Sequence, residues 1–443
     1  MSATRYASAL GLGFGDCGKG HFIDALTRRW QAHTVVRFSG GAQAGHTVVT
    51  ASRPGAPARH HTFSQFGAGT FTPGAHTVLL DPMALHPTAL LAEAEALARI
   101  GVHDALARLI IDERCRITTP YHQAAGRLRE LLRGNAPHGT CGVGVGETVR
   151  HALEHAGEVL RYADLAPLGA AHTQVQLERL QTIRQTLLAE LEAPAGEGRP
   201  GTETELQALR DETLARRWLN IAQSLARQCP PASAETIRAR LTQPGCVLFE
   251  GAQGVLLDEW RGFHPYTTWS SITTAAVDAV AARFGLIGAV EHYGVLRAYL
   301  TRHGVGPFPT HDDSLDERLP EPHNSGDGWQ GRFRRGHPDA VLLRYALEAV
   351  GDLSGLLVSH LDVFDRGVPL KWCERYQDLE RLPLGERGDL SHQMELTRVL
   401  EGARPVYAPE VIGSEAGYLE RLASVTSLPV VCRSRGNTID DVA

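Results

Sequence analysis

Lysine is almost missing from this chain: of 44 basic residues among 443, only Lys19 and Lys371 are lysine, and the rest are arginine. A compact ammonium and a planar guanidinium suit different sites, so each surviving lysine is a position to explain. Nor is there any excess of positive charge. With 50 acidic residues the formal net charge is -6 and the isoelectric point is near 6.4, which excludes the basic footprint of a nucleic-acid-binding protein. The seven cysteines (Cys17, Cys115, Cys141, Cys229, Cys246, Cys373 and Cys432) are odd in number and include no C-x-x-C pair. Neither a disulfide framework nor a zinc ribbon is therefore expected, and a reducing cytoplasm is. No apolar run approaches the roughly 18 residues that a spanning helix needs, and the opening residues lack the basic and apolar regions of a signal peptide. A soluble, cytoplasmic protein without membrane or nucleic-acid partners is expected.

What is present reads as strands alternating with helices. Residues 6–13 form a short apolar stretch followed by a Gly-rich turn and a helical pattern over 21–30, and a second strand is expected at 33–38. Further strands are expected at 75–80, 109–111, 246–250, 290–299, 355–360 and 428–431, with helices such as 87–100 and 338–349 between them. This order predicts an α/β fold with a long, mainly parallel sheet covered on both faces. Residues 171–240 read as an all-helical insertion with a break at 193–201, and the Gly/Pro-rich stretch 304–338 as a long functional loop that contacts substrate.

Six segments can carry chemistry. Gly13-Phe-Gly-Asp-Cys-Gly-Lys19-Gly20 parses either as a dinucleotide fingerprint or as a phosphate-binding loop whose hydroxyl position holds Gly20. The first parse wants an acid at the end of the second strand, where Arg37-Phe-Ser39 stands instead, and this argues against an oxidoreductase. Asp16 in the turn would repel a polyphosphate unless it binds Mg2+ or moves a proton; its plain reading is a helix cap. Ser39-Gly-Gly-Ala-Gln-Ala-Gly-His-Thr47 places His46 after a parallel strand, where such sheets bind ligands. A third segment, 247–254, is a buried strand ending near Gln253, followed by the hydroxyl-rich run 264–274 with Thr268. The fourth, 297–310, joins a strand to a Gly/Pro-rigid loop. The fifth, 329–336, clusters Arg332 and Arg334, whose forks suit carboxylates. The sixth is an apolar strand ending in Asp362 and Asp365, where an acid could accept from the N1–H and 2-amino group of guanine.

In this order the segments resemble the adenylosuccinate synthetase family, GTP-dependent ligases that join aspartate to inosine monophosphate. The family's GDEGKGK loop is met by Gly15-Asp-Cys-Gly-Lys-Gly-His21, its GGxNAGHT by Gly40 to Thr47, and its FEGAQG by Phe249 to Gly254 without change; the run T-R-x-G-x-G-P-F-P-T is intact at 301–310. The resemblance implies a P-loop-like nucleotide-binding fold in one domain over 1–443, a homodimer, and Mg2+ as cofactor. It implies that Asp16 takes the N1 proton of the hypoxanthine and that His46 donates to the leaving diphosphate, with Gln253 also in the catalytic set. Gly15, Gly18, Lys19 and Gly20 would hold the GTP phosphates and Asp362 the guanine. Gln43, Thr140, Cys141, Gln253 and Thr268 would meet the acceptor nucleotide, Arg332 and Arg334 the aspartate carboxylates, and Asp16 with the Gly45 carbonyl the metal.

The chain also departs from the family. Cys17 replaces a Glu, Gln43 an Asn and Cys141 a Thr, while His21 and His360 stand where the family has lysine. The threonine pair ahead of the arginine cluster is absent, and His155 stands where the partner subunit's arginine is expected. The alternative to be weighed is therefore a divergent paralogue using another purine nucleotide, another amino acid, or ATP as donor.

Overall fold

Nine strands build the central sheet, and its inner strands are mostly apolar and buried, as strands covered on both faces are. In chain order they are β1 (Arg5–Gly11), β2 (Ala32–Arg37), β3 (His76–Leu79), β4 (Leu109–Asp112), β5 (Pro231–Ala232), β6 (Cys246–Gly254), β7 (Val290–Arg297), β8 (Gly355–Ser359) and β9 (Val430–Arg433). They lie side by side as β9-β8-β7-β1-β6-β2-β3-β4-β5, and every neighbouring pair is parallel. The computed structural model describes residues 4–51, 58–196, 199–321, 324 and 328–443.

Successive side chains of β1 go to opposite faces, as the pleat requires. Tyr6 and Leu10 join the core under the helix Ala340–Val350, whereas Ala7 and Ala9 join the core shared by helix α1 (Lys19–Arg29) and the helical insertion. The insertion comprises helices Ala170–Ala195, Thr202–Arg210, Leu214–Gln228 and Ala234–Leu241, close to the expected bounds. Before the last helix, β5 pairs with β4 and forms an edge of the sheet, which the all-helical reading did not foresee. Residues 197–198 of the expected break lie outside the described residues.

The stretch 304–338 differs more. It holds the short helix Asp313–Arg318, capped by Asp312 accepting from the Ser314 amide, and the strand Phe333–Gly336, which runs antiparallel to Leu300–His303. Residues 322–323 and 325–327 of that stretch lie outside the described residues. The loop after β2 also continues into a hairpin, His46–Thr50 with Arg59–Phe63. No helix among the described residues is long and apolar enough to cross a membrane, and all seven cysteines are free.

Candidate active site

β1 lies between β7 and β6, and the chain leaves its carboxyl end through α1 to reach β2 on the far side of β6. Such a reversal opens a crevice at the carboxyl ends of the strands. The segments following β1, β2, β6, β7 and β8 all contribute to one cleft of about 780 Å³ there.

The floor is the Gly-rich turn. Asp16 (φ 49°) and Gly18 (φ 88°) both take the left-handed conformation, which turns the chain sharply into α1. Gly18 caps α1 without a side-chain hydrogen bond, so the first-turn amides are left for an anion. Lys19 begins the helix, is 3% exposed, and among the described residues has as its hydrogen-bond partner only the Cys17 thiol, at 3.7 Å. The turn is clamped by β6: a Cβ on Gly254 would lie 1.9 Å from the Gly13 carbonyl oxygen, so only glycine fits at the end of that strand.

His46 comes from the β2 loop and Glu250 from the middle of β6. Both are buried, and Nδ1 of His46 is paired with Oε1 of Glu250 while its Nε2 lies 2.9 Å from the Ala252 carbonyl oxygen. A carbonyl only accepts, so Nε2 carries a proton. Burial pushes the Glu250 carboxyl up, but Arg37 and His46 outweigh it, helped by the Ala68 amide at 2.9 Å, and hold the group ionised. For His46, burial lowers the pKa and Glu250 opposes it.

Asp16 has Oδ2 3.5 Å from Nε2 of His303, and its carbonyl accepts from Nη1 of Arg297 at 3.1 Å. The carboxamides of Gln43 and Gln253 also line the cleft, and the Gln43 Oε1 and Nε2 and the Gln253 Oε1 are buried without a partner among the described residues. Buried polar atoms are normally satisfied, so these await a ligand. Asp16 and Gly45 line the same cleft and offer one carboxylate and one carbonyl. A magnesium ion asks little more of a protein when substrate phosphates and water complete its shell, so the donor set fits.

The far end holds Asp362, paired with Arg366 four residues on, and His360, left-handed at φ 59° and hydrogen-bonded through Nδ1 to Ser359 Oγ at 2.8 Å. Burial, reinforced by Arg297, holds His360 well below the usual histidine range. His21 bonds Ser434 Oγ through Nε2 at 2.9 Å, and burial brings it down to about 4 against the pull of Asp441. Both histidines are thus neutral at pH 7, so this end of the cleft carries no charge at either position where a lysine was expected.

The structure gathers most of the expected residues. Asp16, Lys19, His46 and Gln253 line the cleft, as do Gly15, Gly18, Gly20, Gly45 and Asp362, and on the remaining wall Gln43, Cys141 and Thr268. Thr140 does not: its amide donates to Glu130 and its Oγ1 accepts from the Gly142 amide. Arg332 and Arg334 are also outside the lining. Arg332 reaches Asp313 and Asp316 at 2.6 Å on the short helix, and Arg334 donates to the Gly306 carbonyl at 3.0 Å. Sequence reasoning assigned no role to Glu250, Arg297 or Arg302. The signal for Glu250 was an acid inside an apolar strand; for Arg297 it was only its position at the end of β7, and for Arg302 its place in the following strand Leu300–His303.

The family model for adenylosuccinate synthetase matches residues 9–441. The adenylosuccinate synthetase of Myxococcus xanthus (strain DK1622) is 32% identical over 445 residues, covering 97% of each chain. That of Edwardsiella ictaluri (strain 93-146) is 32% identical over 446 residues, covering 96% of this chain and 95% of its own. The fully ligated adenylosuccinate synthetase of Plasmodium falciparum superposes over 99% of both chains with a TM-score of 0.74 at 22% identity, a likeness of fold. Together with the cleft at the sheet's switch point, these matches place the chain in the adenylosuccinate synthetase family of carbon–nitrogen ligases.

Proposed function

We propose that Asp16, Lys19 and His46 carry the ligation for which the family is named: the chain joins L-aspartate to inosine monophosphate at the expense of GTP, a step of purine nucleotide biosynthesis. The observation that carries this assignment of roles is that all three line one cleft with the Gln43 carboxamide and the Gln253 Oε1, which are buried without a partner among the described residues. Asp16 takes the N1 proton of the hypoxanthine ring, and the negative charge moves to O6. O6 then forms a bond to the γ-phosphorus of GTP as the bond to the bridging oxygen breaks, giving the 6-phosphoryl nucleotide and GDP. Lys19 and the amides at the start of α1 hold the donor phosphates, and His46 turns Nε2 from the Ala252 carbonyl to the leaving oxygen. Glu250 keeps that imidazole oriented and supplies the charge that favours its protonated form.

The aspartate amine next attacks C6 and phosphate departs with O6, giving adenylosuccinate. Asp16 and the Gly45 carbonyl would hold Mg2+, which when bound supplies positive charge beside the phosphates. Gln253 and Thr268 meet the acceptor nucleotide together with Gln43 and Cys141; Thr140 contributes by shaping their loop. Asp362 accepts from the donor guanine. We take the working enzyme to be a cytoplasmic homodimer, which sedimentation of the purified protein tests directly. The alternative of another acceptor, amino acid or donor gains nothing from relatives that match end to end and are adenylosuccinate synthetases.

The test crosses inosinate and guanylate with GTP and ATP in the presence of aspartate, following phosphate release and product mass. Turnover is expected with inosinate and GTP. No turnover in any combination would falsify the ligase reading.

A further inference from the structure

Arg37 is the last residue of β2 and has no exposed surface. It stands in register with Glu250 on the neighbouring parallel strand β6, so the two side chains leave the sheet on the same face. Val35 and Leu248, two residues back on either strand, join the core that α1 shares, so this is the face that α1 covers. A fully buried guanidinium is costly unless its charge and its donors are used. Among the described residues the Arg37 side chain makes no direct ion pair and one hydrogen bond, from Nη1 to the Phe66 carbonyl at 3.1 Å, while Nε and Nη2 are buried without a partner.

That one bond leads to the carboxylate through the turn it holds. Two residues beyond Phe66, the Ala68 amide donates to Oε2 of Glu250 at 2.9 Å, and Oε1 of Glu250 pairs with Nδ1 of His46. The turn is pressed onto β2 and α1: a Cβ on Gly67 would lie 2.8 Å from Cγ1 of Val35, and one on Gly69 2.5 Å from the Thr27 hydroxyl. Thr77 Oγ1 adds a further tie, accepting from the Gly67 amide at 3.0 Å. Arg37 thus fixes the near end of a seated turn whose far end carries the donor to Glu250. No residue from 64 to 71 is charged, so the turn offers Arg37 a carbonyl but no acid. Its charge is left to act on Glu250: burial works against the ionised form of that acid, and Arg37 and His46 outweigh it.

We propose that Arg37 is a positioning residue for the phosphoryl-transfer step: by holding the turn at Phe66 and facing Glu250 with its charge, it fixes Glu250 as the ionised partner of His46. The inference rests on the ligase reading above, in which His46 serves the leaving oxygen. An arginine that only tied down the turn would have no bearing on what Glu250 does, and a double-mutant cycle separates the two roles.

The experiment compares wild type, R37M, E250Q and R37M/E250Q in steady-state turnover with inosinate, GTP and aspartate, alongside denaturant unfolding. R37M keeps an unbranched apolar stem but removes the charge and the donors; R37K, which keeps a charge but loses the fork, takes its place throughout the cycle if R37M does not fold. The expected result is a kcat lowered about fivefold or more by the Arg37 change in the wild-type background, with KM values for all three substrates within about twofold. In the E250Q background the same change should lower kcat by less than about twofold. Equal losses in the two backgrounds, no loss in the wild-type background, or a loss carried by KM would assign Arg37 to the fold alone, and each overturns the proposal. If wild type itself fails to turn over, the ligase reading falls, and the unfolding arm decides for Arg37. An unfolding equilibrium constant raised about fivefold or more beyond its rise in the E250Q background supports the link to Glu250, and equal rises overturn it.

Discussion

His46 is held between two acceptors, the Glu250 carboxylate at Nδ1 and the Ala252 carbonyl at Nε2. An imidazole in that setting is oriented as a donor, and removing the negative charge at Nδ1 weakens its hold on the proton. Glu250→Gln keeps the shape and an oxygen for the Ala68 amide. The variant should lose about 100-fold in kcat with nucleotide KM values little changed. Glu250 raises the His46 pKa, so its neutralisation lets the imidazolium lose its proton at lower pH. The alkaline limb of the kcat profile should therefore move to lower pH; an unmoved limb argues against His46 as the donor.

Asp16→Asn removes the base but leaves the turn, since asparagine also tolerates the left-handed conformation that Asp16 adopts. Single-turnover formation of GDP should slow by roughly 10² to 10⁴, while GTP affinity measured by calorimetry stays within a few-fold. Retention of most of the rate would show that another group takes the N1 proton.

Asp362→Asn keeps an acceptor oxygen but loses the charge that guanine N1–H and the 2-amino group would share with Arg366. The preference for GTP over its inosine analogue in kcat/KM should drop by about tenfold. Equal preference before and after the change would mean that the donor base is read elsewhere.

Asp339 caps the helix Ala340–Val350, accepting from the amides of Val341 and Leu342 and from the Tyr376 hydroxyl at 2.8 Å. Complete burial raises its pKa from 3.8 to about 6, only partly offset by those donors. A carboxyl raised on folding contributes stability that is fully present below pH 4 and lost as pH rises through 6. Asp339→Asn retains the cap without the ionisation. The unfolding free energy of the variant relative to wild type should therefore rise between pH 5 and pH 7, by on the order of 1–3 kcal/mol. Denaturant unfolding at the two pH values measures it, and a constant difference contradicts the assignment.

The sheet was legible because parallel strands covered on both faces must be apolar throughout, as at Val247-Leu-Phe249 and Leu356-Leu-Val358. β5 was not, because two residues carry no period and their pairing depends on where the insertion returns the chain. The short helix and strand within 304–338 are held by tertiary contacts: Asp316, two-thirds of the way along that helix, accepts from the Arg335 amide at 2.7 Å and pairs with Arg332. Glycine and proline counts cannot anticipate such contacts. The same limit explains the arginines. Arg332 sits in the more conspicuous cluster, yet only burial and the distribution of carboxylates reveal which guanidinium of the cleft, Arg302, has no carboxylate partner among the described residues.

The two lysines end in opposite surroundings. Lys19 is enclosed at the start of α1, while the Lys371 side chain is 48% exposed and only lightly held by Asp312 at 3.5 Å. In the native protein an acylating reagent therefore meets one side-chain amine in 443 residues, apart from the amino terminus. Lys371 provides a single attachment point for a dye or a surface tether on a molecule that needs no engineering. Labelling of the enclosed Lys19 should lag far behind that of Lys371.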